Sequence, residues 1–471
     1  MKFLQPYTPT PDDPWNHAKA SHLARRAGFG ATPNRLEDMV ALGVEGAVGE
    51  LIAGPADESP FEQALERAGA TQARDGRNVD ALRREWFFRM VHGPDPLREK
   101  LVLFWHDHFA TQESKVIRAP LIYDQLATLR RHAMGRFPDL ISAIAKDPAM
   151  LVLLDNRLSD AANPNENWAR ELLELYTLGV DHYTQGDVVE LARIFTGWTT
   201  PEAHVPEFQF RPEMHDSGDK VLFGSELVGR SGADGMAEGI EALARIVARA
   251  DCPRFLADKL CRWFVSHEPD PLGVAEVAEV LRRNGLDLAA TLSQLFRSRW
   301  FYAPSQRFAL YKNPVELAVS TLRLLEVQNA HLAGLERLTR SMGMQLYEAP
   351  SVAGWEHGEG WVDSGAVVQR FHFALEVSDL PHSTRNVVGR PATNLDQLAG
   401  GDDPDPHELV ERLSLRLLQR PLDEWRHSVL VTYLEEADLR AEADESVARR
   451  RRRRTRALVH LLLTTPEYAV A

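Results

Sequence analysis

The stretch Asn165-Glu166-Asn167-Trp168-Ala169-Arg170-Glu171-Leu172-Leu173-Glu174-Leu175-Tyr176-Thr177-Leu178-Gly179 is helical in its spacing and divided in its chemistry. At about 100° per residue, Glu166, Asn167, Arg170, Glu174 and Thr177 occupy roughly one third of a helix circumference, with Glu171 at the border. Trp168, Ala169, Leu172, Leu173, Leu175 and Tyr176 cover the remainder. Four-residue spacings from Glu166 to Arg170 and from Arg170 to Glu174 let one guanidinium bridge two carboxylates on adjacent turns. Such a stripe is an ordinary solvated face or, because the apolar arc beside it is wide, an enclosed wall facing a charged group or ion. The second alternative makes Glu171, Arg170 and Glu174 candidate catalytic residues and Glu166 a candidate metal ligand.

The same helical rhythm runs through most of the chain, and alternating β-type runs are scarce, so the expected class is all-α and multi-helical. Helices are expected at 15–27, 32–52, 60–68, 79–92, 96–108, 122–134, 137–145, 164–178 and 184–196. A second series is expected at 236–250, 253–265, 274–284, 287–297, 314–325 and 332–342, with three more from Pro406 onward. Thr32-Pro33, Asn163-Pro164 and Asn313-Pro314 each place a capping residue before a first-turn proline. Around residues 207–224 the pattern changes to Phe208, Phe210, a turn near Ser217-Gly218, then Val221 and Phe223, which suits a short β-hairpin with His215 and Asp216 near its tip. Looser composition at 231–235 and 400–404 divides the chain into an N-terminal helical lobe (1–230), a second lobe (231–400) and a C-terminal helical segment (401–471).

A chain of 471 residues with 44% hydrophobic and 26% charged residues can bury a large core. Its net charge of −14 opposes non-specific binding to nucleic acid, so no nucleic-acid partner is expected. Arg449 to Arg454 form a basic run, but it follows Glu435, Glu436, Asp438, Glu442, Asp444 and Glu445, and charge pairing between helices accounts for both. Cys252 and Cys261, the only cysteines, exclude a disulfide framework. No stretch approaches the roughly 18 consecutive apolar residues of a membrane span, and the first residues lack the apolar core of an export signal. A cytoplasmic protein is expected.

Two histidines extend the candidate site. The apolar stripe Leu97, Leu101, Phe104, Trp105 ends in His108, while His106 points nearly the opposite way on an unbroken helix. They share a metal only if the helix stops near Trp105 and the chain becomes extended. Otherwise His108 is a hydrogen-bonded core residue. His215 and Asp216 supply a further imidazole and carboxylate of the kind that binds Zn, Mn or Fe. His357 lies in the glycine-rich loop Gly354-Trp355-Glu356-His357-Gly358-Glu359-Gly360-Trp361, which lines a pocket or makes a tight turn at Gly358 and Gly360. Trp198, Trp355, His357 and Trp361 are candidate ligand-binding residues through ring stacking. Walker, dinucleotide-binding, nucleophile-elbow and zincin patterns are absent from the sequence.

Read in order, seven motifs carry a family resemblance. They are His22-Leu23-Ala24-Arg25-Arg26-Ala27-Gly28-Phe29-Gly30, Phe104-Trp105-His106-Asp107-His108-Phe109, Pro164 to Leu172, Phe195-Thr196-Gly197-Trp198, His215-Asp216-Ser217-Gly218-Asp219-Lys220, Lys312-Asn313-Pro314-Val315-Glu316-Leu317 and Pro350-Ser351-Val352-Ala353-Gly354-Trp355. Together they resemble the bacterial DUF1800 family over nearly the whole chain. The resemblance implies characteristic residues without agreed catalytic roles and, in relatives that look exported, a phosphatase-superfamily-like DUF1501 partner. This sequence departs from that pattern in lacking an export signal.

The expected protein therefore gathers His106 or His108, Glu166, Arg170, Glu171, Glu174, His215 and Asp216 into one central polar pocket for a divalent metal or small polar ligand. A metal-activated water or a carboxylate base would serve hydrolysis or oxidation there. Two rivals stand beside it: an assembly protein whose polar network fixes helix packing, working with a DUF1501-like partner, and a carbohydrate or peptide binder that uses its tryptophans.

Overall fold

The computed structural model describes residues 2–67, 78–202, 205, 207–328, 334–381, 392–440 and 444–471. Asn16 accepts from Ala18 N and Lys19 N to start α1 (His17–Arg26). Pro33 opens α2 (Pro33–Ala53), kinked where Gly43 adopts φ 68°. After α3 (Ser59–Arg67) and α4 (Val79–His92), Asp95 caps α5 (Pro96–His108) by accepting from Arg98 N. Every residue of α5 from Glu99 to His108 is buried, so this helix runs through the interior. Short α6 (Glu113–Val116) leads to α7 (Ala119–His132), α8 (Phe137–Ile144) and α9 (Pro148–Leu153), with α7 lying against α5.

The quoted stretch forms α10 (Glu166–Glu171) followed by a π-helical turn, Leu172–Thr177. A capping box of Thr184 and Asp187 starts α11 (Gln185–Ile194). Beyond it β1 (Trp198–Thr199) pairs antiparallel with β2 (Gln209–Phe210), and β3 (Lys220–Leu222) pairs with β4 (Ser225–Leu227). The short β insertion is present, but its strand partners differ from the expected ones. Residues 209–210 pair back to 198–199, and the tight hairpin lies at 222–225. Arg193 on α11 holds Asp216 at 2.7 Å and the Thr196 carbonyl meets His215 Nδ1 at 3.0 Å, which pulls the expected hairpin tip down onto α11.

The chain continues through α12 (Met236–Val247), α13 (Asp251–Phe264), α14 (Pro271–Arg283), α15 (Leu288–Phe296), α16 (Pro314–Leu324) and α17 (Leu335–Ser341). After these come α18 (Ser364–Ser378), α19 (Leu395–Ala399), α20 (Pro406–Leu417), α21 (Glu424–Leu439) and α22 (Val447–Leu463). The three helices expected after Pro406 are α20 to α22. Helix α18 escaped the periodic reading because its apolar residues surround it: Phe373 and Val377 are buried while Val368, Phe371 and Leu375 are exposed. Expected helix ends at Ala68 and Leu332, and the acidic residue Glu442, lie outside the described residues.

One continuous hydrophobic core reaches from Leu4 to Tyr468 and draws on all three sequence segments. Both cysteines are free and buried on α13. On α22 the basic run is ion-paired: Arg451 and Arg452 with Asp396, Arg453 with Asp438 and Glu445, and Arg454 with Asp438. Among the described residues, no helix is long and apolar enough to cross a membrane.

Candidate functional site

Helix α5 does not break at Trp105. It stays regular through His108, so its last three residues radiate in different directions and fasten different parts of the molecule. His106 accepts a hydrogen bond from Tyr347 N at 3.0 Å and is enclosed by the rings of Trp86, Tyr347 and Trp355. Burial lowers its pKa to about 4, which keeps the imidazole neutral. Tyr347 itself sits at φ 64°, so His106 pins a strained turn.

Asp107, the next residue, accepts from Trp355 N at 2.8 Å through Oδ1 and meets His357 Nε2 at 3.0 Å through Oδ2. Gly354 makes this approach feasible. It has φ 90°, and a Cβ there would stand 2.5 Å from Asp107 Oδ1 and 2.6 Å from the Asp107 carbonyl. The His357 side chain is 54% exposed, whereas Asp107 is 11% exposed. Partial burial disfavours the imidazolium, but the hydrogen bond and the charge of Asp107 outweigh it and raise the His357 pKa above its ordinary value.

His108 faces the other side. Its Nε2 meets the Tyr176 carbonyl at 3.1 Å and its Nδ1 meets Lys259 Nζ at 3.2 Å. A carbonyl can only accept and an ammonium only donate, so His108 is the neutral Nε2–H tautomer. Burial and the Lys259 charge both hold its pKa well down. Lys259 Nζ also donates to the Leu175 carbonyl at 3.3 Å. Leu175 and Tyr176 belong to the π-helical turn, where the C-terminal carbonyls of the quoted stretch are free to accept and the helix end favours a cation. Burial lowers the Lys259 pKa to about 8, against the opposing pull of Asp107.

One turn beyond Lys259 on α13, the half-buried Trp263 sets its ring edge-on to His357 at 6.1 Å and also touches Phe104 of α5. Behind it, Lys100 is paired with Glu316 and lies over the Trp263 ring at 5.7 Å. His267 accepts from Tyr311 N at 2.8 Å, and Gly358, at φ 67°, packs on its ring. The result is a polar seam between α5 and α13, bordered by the Gly354–Trp361 loop and reaching solvent at His357.

The candidate residues named from sequence divide among separate surroundings. Glu166 and Arg170 pair at 2.9 Å with 41% and 39% exposure, and Arg170 turns to Gln185 instead of Glu174. Glu174 accepts from the Tyr183 hydroxyl. The π turn supplies the reason: an extra residue per turn after Leu172 rotates Glu174 off the stripe that an unbroken α-helix would present. Glu171 stays half-buried, and burial together with Glu174 raises its pKa. The stripe is thus a half-solvated face.

His215 is buried beside Glu238 at 3.3 Å, and Glu238 is ion-paired with Lys220 at 2.6 Å, both side chains having 0% exposure. Asp216 is taken up by Arg193, which lowers its pKa although burial opposes this. His106, His108, Glu166, His215 and Asp216 therefore do not converge. Among the described residues, no three His, Cys, Asp or Glu side chains are grouped to hold a metal. Trp198, Trp355 and Trp361 are buried at 0%, 6% and 6% exposure, because the loops that carry them fold inward onto the core, so they present no open ring for stacking. Of the four candidate ligand-binding residues, only His357 reaches solvent.

Sequence reasoning passed over Asp107, which ties His357 to α5, and Lys259, which ties His108 to the π-helical turn. Asp107 stood between two more conspicuous histidines. Lys259 is a single lysine on a helix whose partners lie 84 and 151 residues away. A cavity of about 850 Å³ also opens among α1, α2, α4 and α16, but it contains none of the expected site residues.

Comparison with known proteins agrees with the motif reading. A family model described as "Protein of unknown function (DUF1800)" matches residues 22–470, so the chain belongs to that family. No curated protein and no solved structure matches the chain.

Proposed function

Starting from membership in DUF1800, we propose that the protein binds a small polar ligand in a crevice along the seam between α5 and α13 and performs acid–base chemistry on it with His357. The observation that carries this reading is a half-exposed imidazole held at 3.0 Å by a nearly buried carboxylate that is itself anchored by a backbone N–H. With Nε2 committed to Asp107, Nδ1 is the ring's remaining site of proton exchange. Asp107 raises the His357 pKa above the ordinary histidine value, which favours the protonated ring as a proton donor that the same carboxylate can reload. Lys259 places a third N–H beyond the two bound by His108 and Leu175, suited to an oxygen on the ligand.

The test is a panel of small esters and amides followed for hydrolysis with wild type, His357→Gln and Lys259→Met. NMR titration of the histidines runs in parallel in wild type and Asp107→Asn. Turnover that needs His357, with its pKa falling on loss of Asp107, is the expected result. Turnover that survives His357→Gln, or an ordinary His357 pKa in wild type, defeats the reading.

A second reading rests on a different observation. On α21, Trp425, Val429 and Tyr433 recur every fourth residue and are 72%, 47% and 46% exposed, an apolar stripe suited to a protein partner. A DUF1501-like protein is the partner that the family resemblance implies. Loss of co-purification on Trp425→Asp, with melting unchanged, tests it.

A further inference from the structure

Two sequence motifs play no part in the crevice chemistry, and they meet elsewhere. The first motif contributes His22, Arg25 and Arg26 from α1, and the Lys-Asn-Pro motif contributes Lys312. Arg25, Arg26 and Lys312 are 6%, 1% and 4% exposed, and Arg370 beside them is 7% exposed. Arg25 donates to Gln419 Oε1 at 2.6 Å, Arg26 to the Gln306 carbonyl at 2.5 Å, Lys312 to the Tyr468 carbonyl at 2.9 Å, and Arg370 to the Lys312 carbonyl at 2.8 Å. All of these acceptors are neutral. Glu316, the carboxylate whose charge reaches Arg26 and Lys312, is already bonded to Lys100 and caps its own helix.

Toward solvent the cluster opens at Phe308. Three guanidinium groups surround this half-buried ring, Arg25 at 4.4 Å, Arg420 at 4.5 Å and Arg307 at 5.8 Å from its centre. Among the described residues, none of Arg25, Arg26, Arg307, Arg370 and Arg420 forms an ion pair with a carboxylate. Arg25 Nε and Nη2, Arg26 Nε and Nη1, and Arg307 Nε are buried donors without a protein acceptor. Burial lowers the Arg25 and Arg26 pKa values to about 9, aided at Arg25 by the charges of Arg26, Arg307 and Arg420 and opposed at Arg26 by Glu316. In a chain of net charge −14, a desolvated group of like charges without counter-charge is a costly arrangement that a bound anion would relieve.

We propose that the arginine cluster around Phe308 is a binding site for a phosphate-type oxyanion, free or as a phosphate monoester. Arg25, Arg307 and Arg420 hold it, with Arg26 and Lys312 behind them. Phosphate matches the site better than a single carboxylate because a tetrahedral dianion offers acceptors in several directions to several guanidinium groups and neutralises more of their charge. The site does not depend on the His357 reading.

The experiment titrates the full-length protein with inorganic phosphate, glycerol phosphate or acetate at constant ionic strength, followed by calorimetry and thermal melting. A saturable phosphate response is expected, with a melting rise of about 3 °C at a hundred-fold excess over Kd. Arg420→Gln and Arg307→Gln, both at half-buried positions where folding is retained, weaken binding at least ten-fold. Arg282→Gln, at an exposed arginine 61% open to solvent, and His357→Gln leave it unchanged. The glycerol phosphate arm decides between ester and free anion. No saturable response, full binding by both cluster variants, or an acetate response equal to that of phosphate overturns the proposal.

Discussion

The β insertion and the α5–α13 crevice each bring together a histidine, a lysine and a carboxylate, yet they are opposite kinds of structure. In the insertion, Lys220 and Glu238 are sealed at 0% exposure and His215 lies against them, so the charges satisfy one another and fix the insertion to α12. In the crevice, Asp107 and Lys259 are anchored from behind while His357 remains 54% exposed. The same three chemistries therefore make a structural pin in one place and an accessible acid–base group in the other. What separates them is whether the last member of the group still meets water.

The sharpest way to break this contrast is to strand the buried lysine. Glu238→Ala leaves Lys220 without its counter-ion and should cost about 3–5 kcal/mol in urea unfolding, whereas Glu238→Ala together with Lys220→Met should recover much of the loss. A cost below about 1 kcal/mol would erase the distinction. Gly354→Ala tests the crevice from the backbone side. Its Cβ would press on Asp107 at 2.5 Å in a positive-φ position, so a destabilisation of about 1–3 kcal/mol and an altered His357 titration are expected. An unaltered titration would show that the loop does not position the dyad.

The smallest effect is the pH dependence of the dyad itself. The His357 pKa is raised in the folded protein, so the Asp107 pair contributes fully below about pH 6.5 and fades as the pH rises through the raised value. His106 works in the reverse sense. Its pKa is lowered to about 4, so stability is complete above about pH 6.5 and falls as the solution is acidified toward that value. Melting curves of wild type and Asp107→Asn should differ by less than about 1 kcal/mol below pH 6.5 and converge at alkaline pH. A gap that widens with pH would reverse the assignment.

Residues with a local signature were legible from sequence alone. The all-α class, the cap at Asn313, the helix start after Thr32 and the run of α5 to His108 all follow from spacings within a few turns. The candidate stripe was legible only as far as Arg170, because the π turn that diverts Glu174 to Tyr183 leaves no distinctive mark in its residues. His215 was expected near the tip of a hairpin and instead lies buried against α12, since the strand partner of 209–210 is 198–199 and not the segment that follows. The polar pocket assembled from sequence joined groups by chemical type, whereas the fold distributes them over four separate surroundings.

Helical period and capping residues determined by themselves a large α-helical protein, because each acts over a distance shorter than one helix, while the seven ordered motifs carried the resemblance to the DUF1800 family. Tertiary packing alone decided which histidine meets solvent, which carboxylate stands behind it and which arginines are left without a partner. Those outcomes depend on contacts between residues far apart in the chain, 248 positions for Asp107 with Trp355 and 394 for Arg25 with Gln419, and on the water excluded when they close.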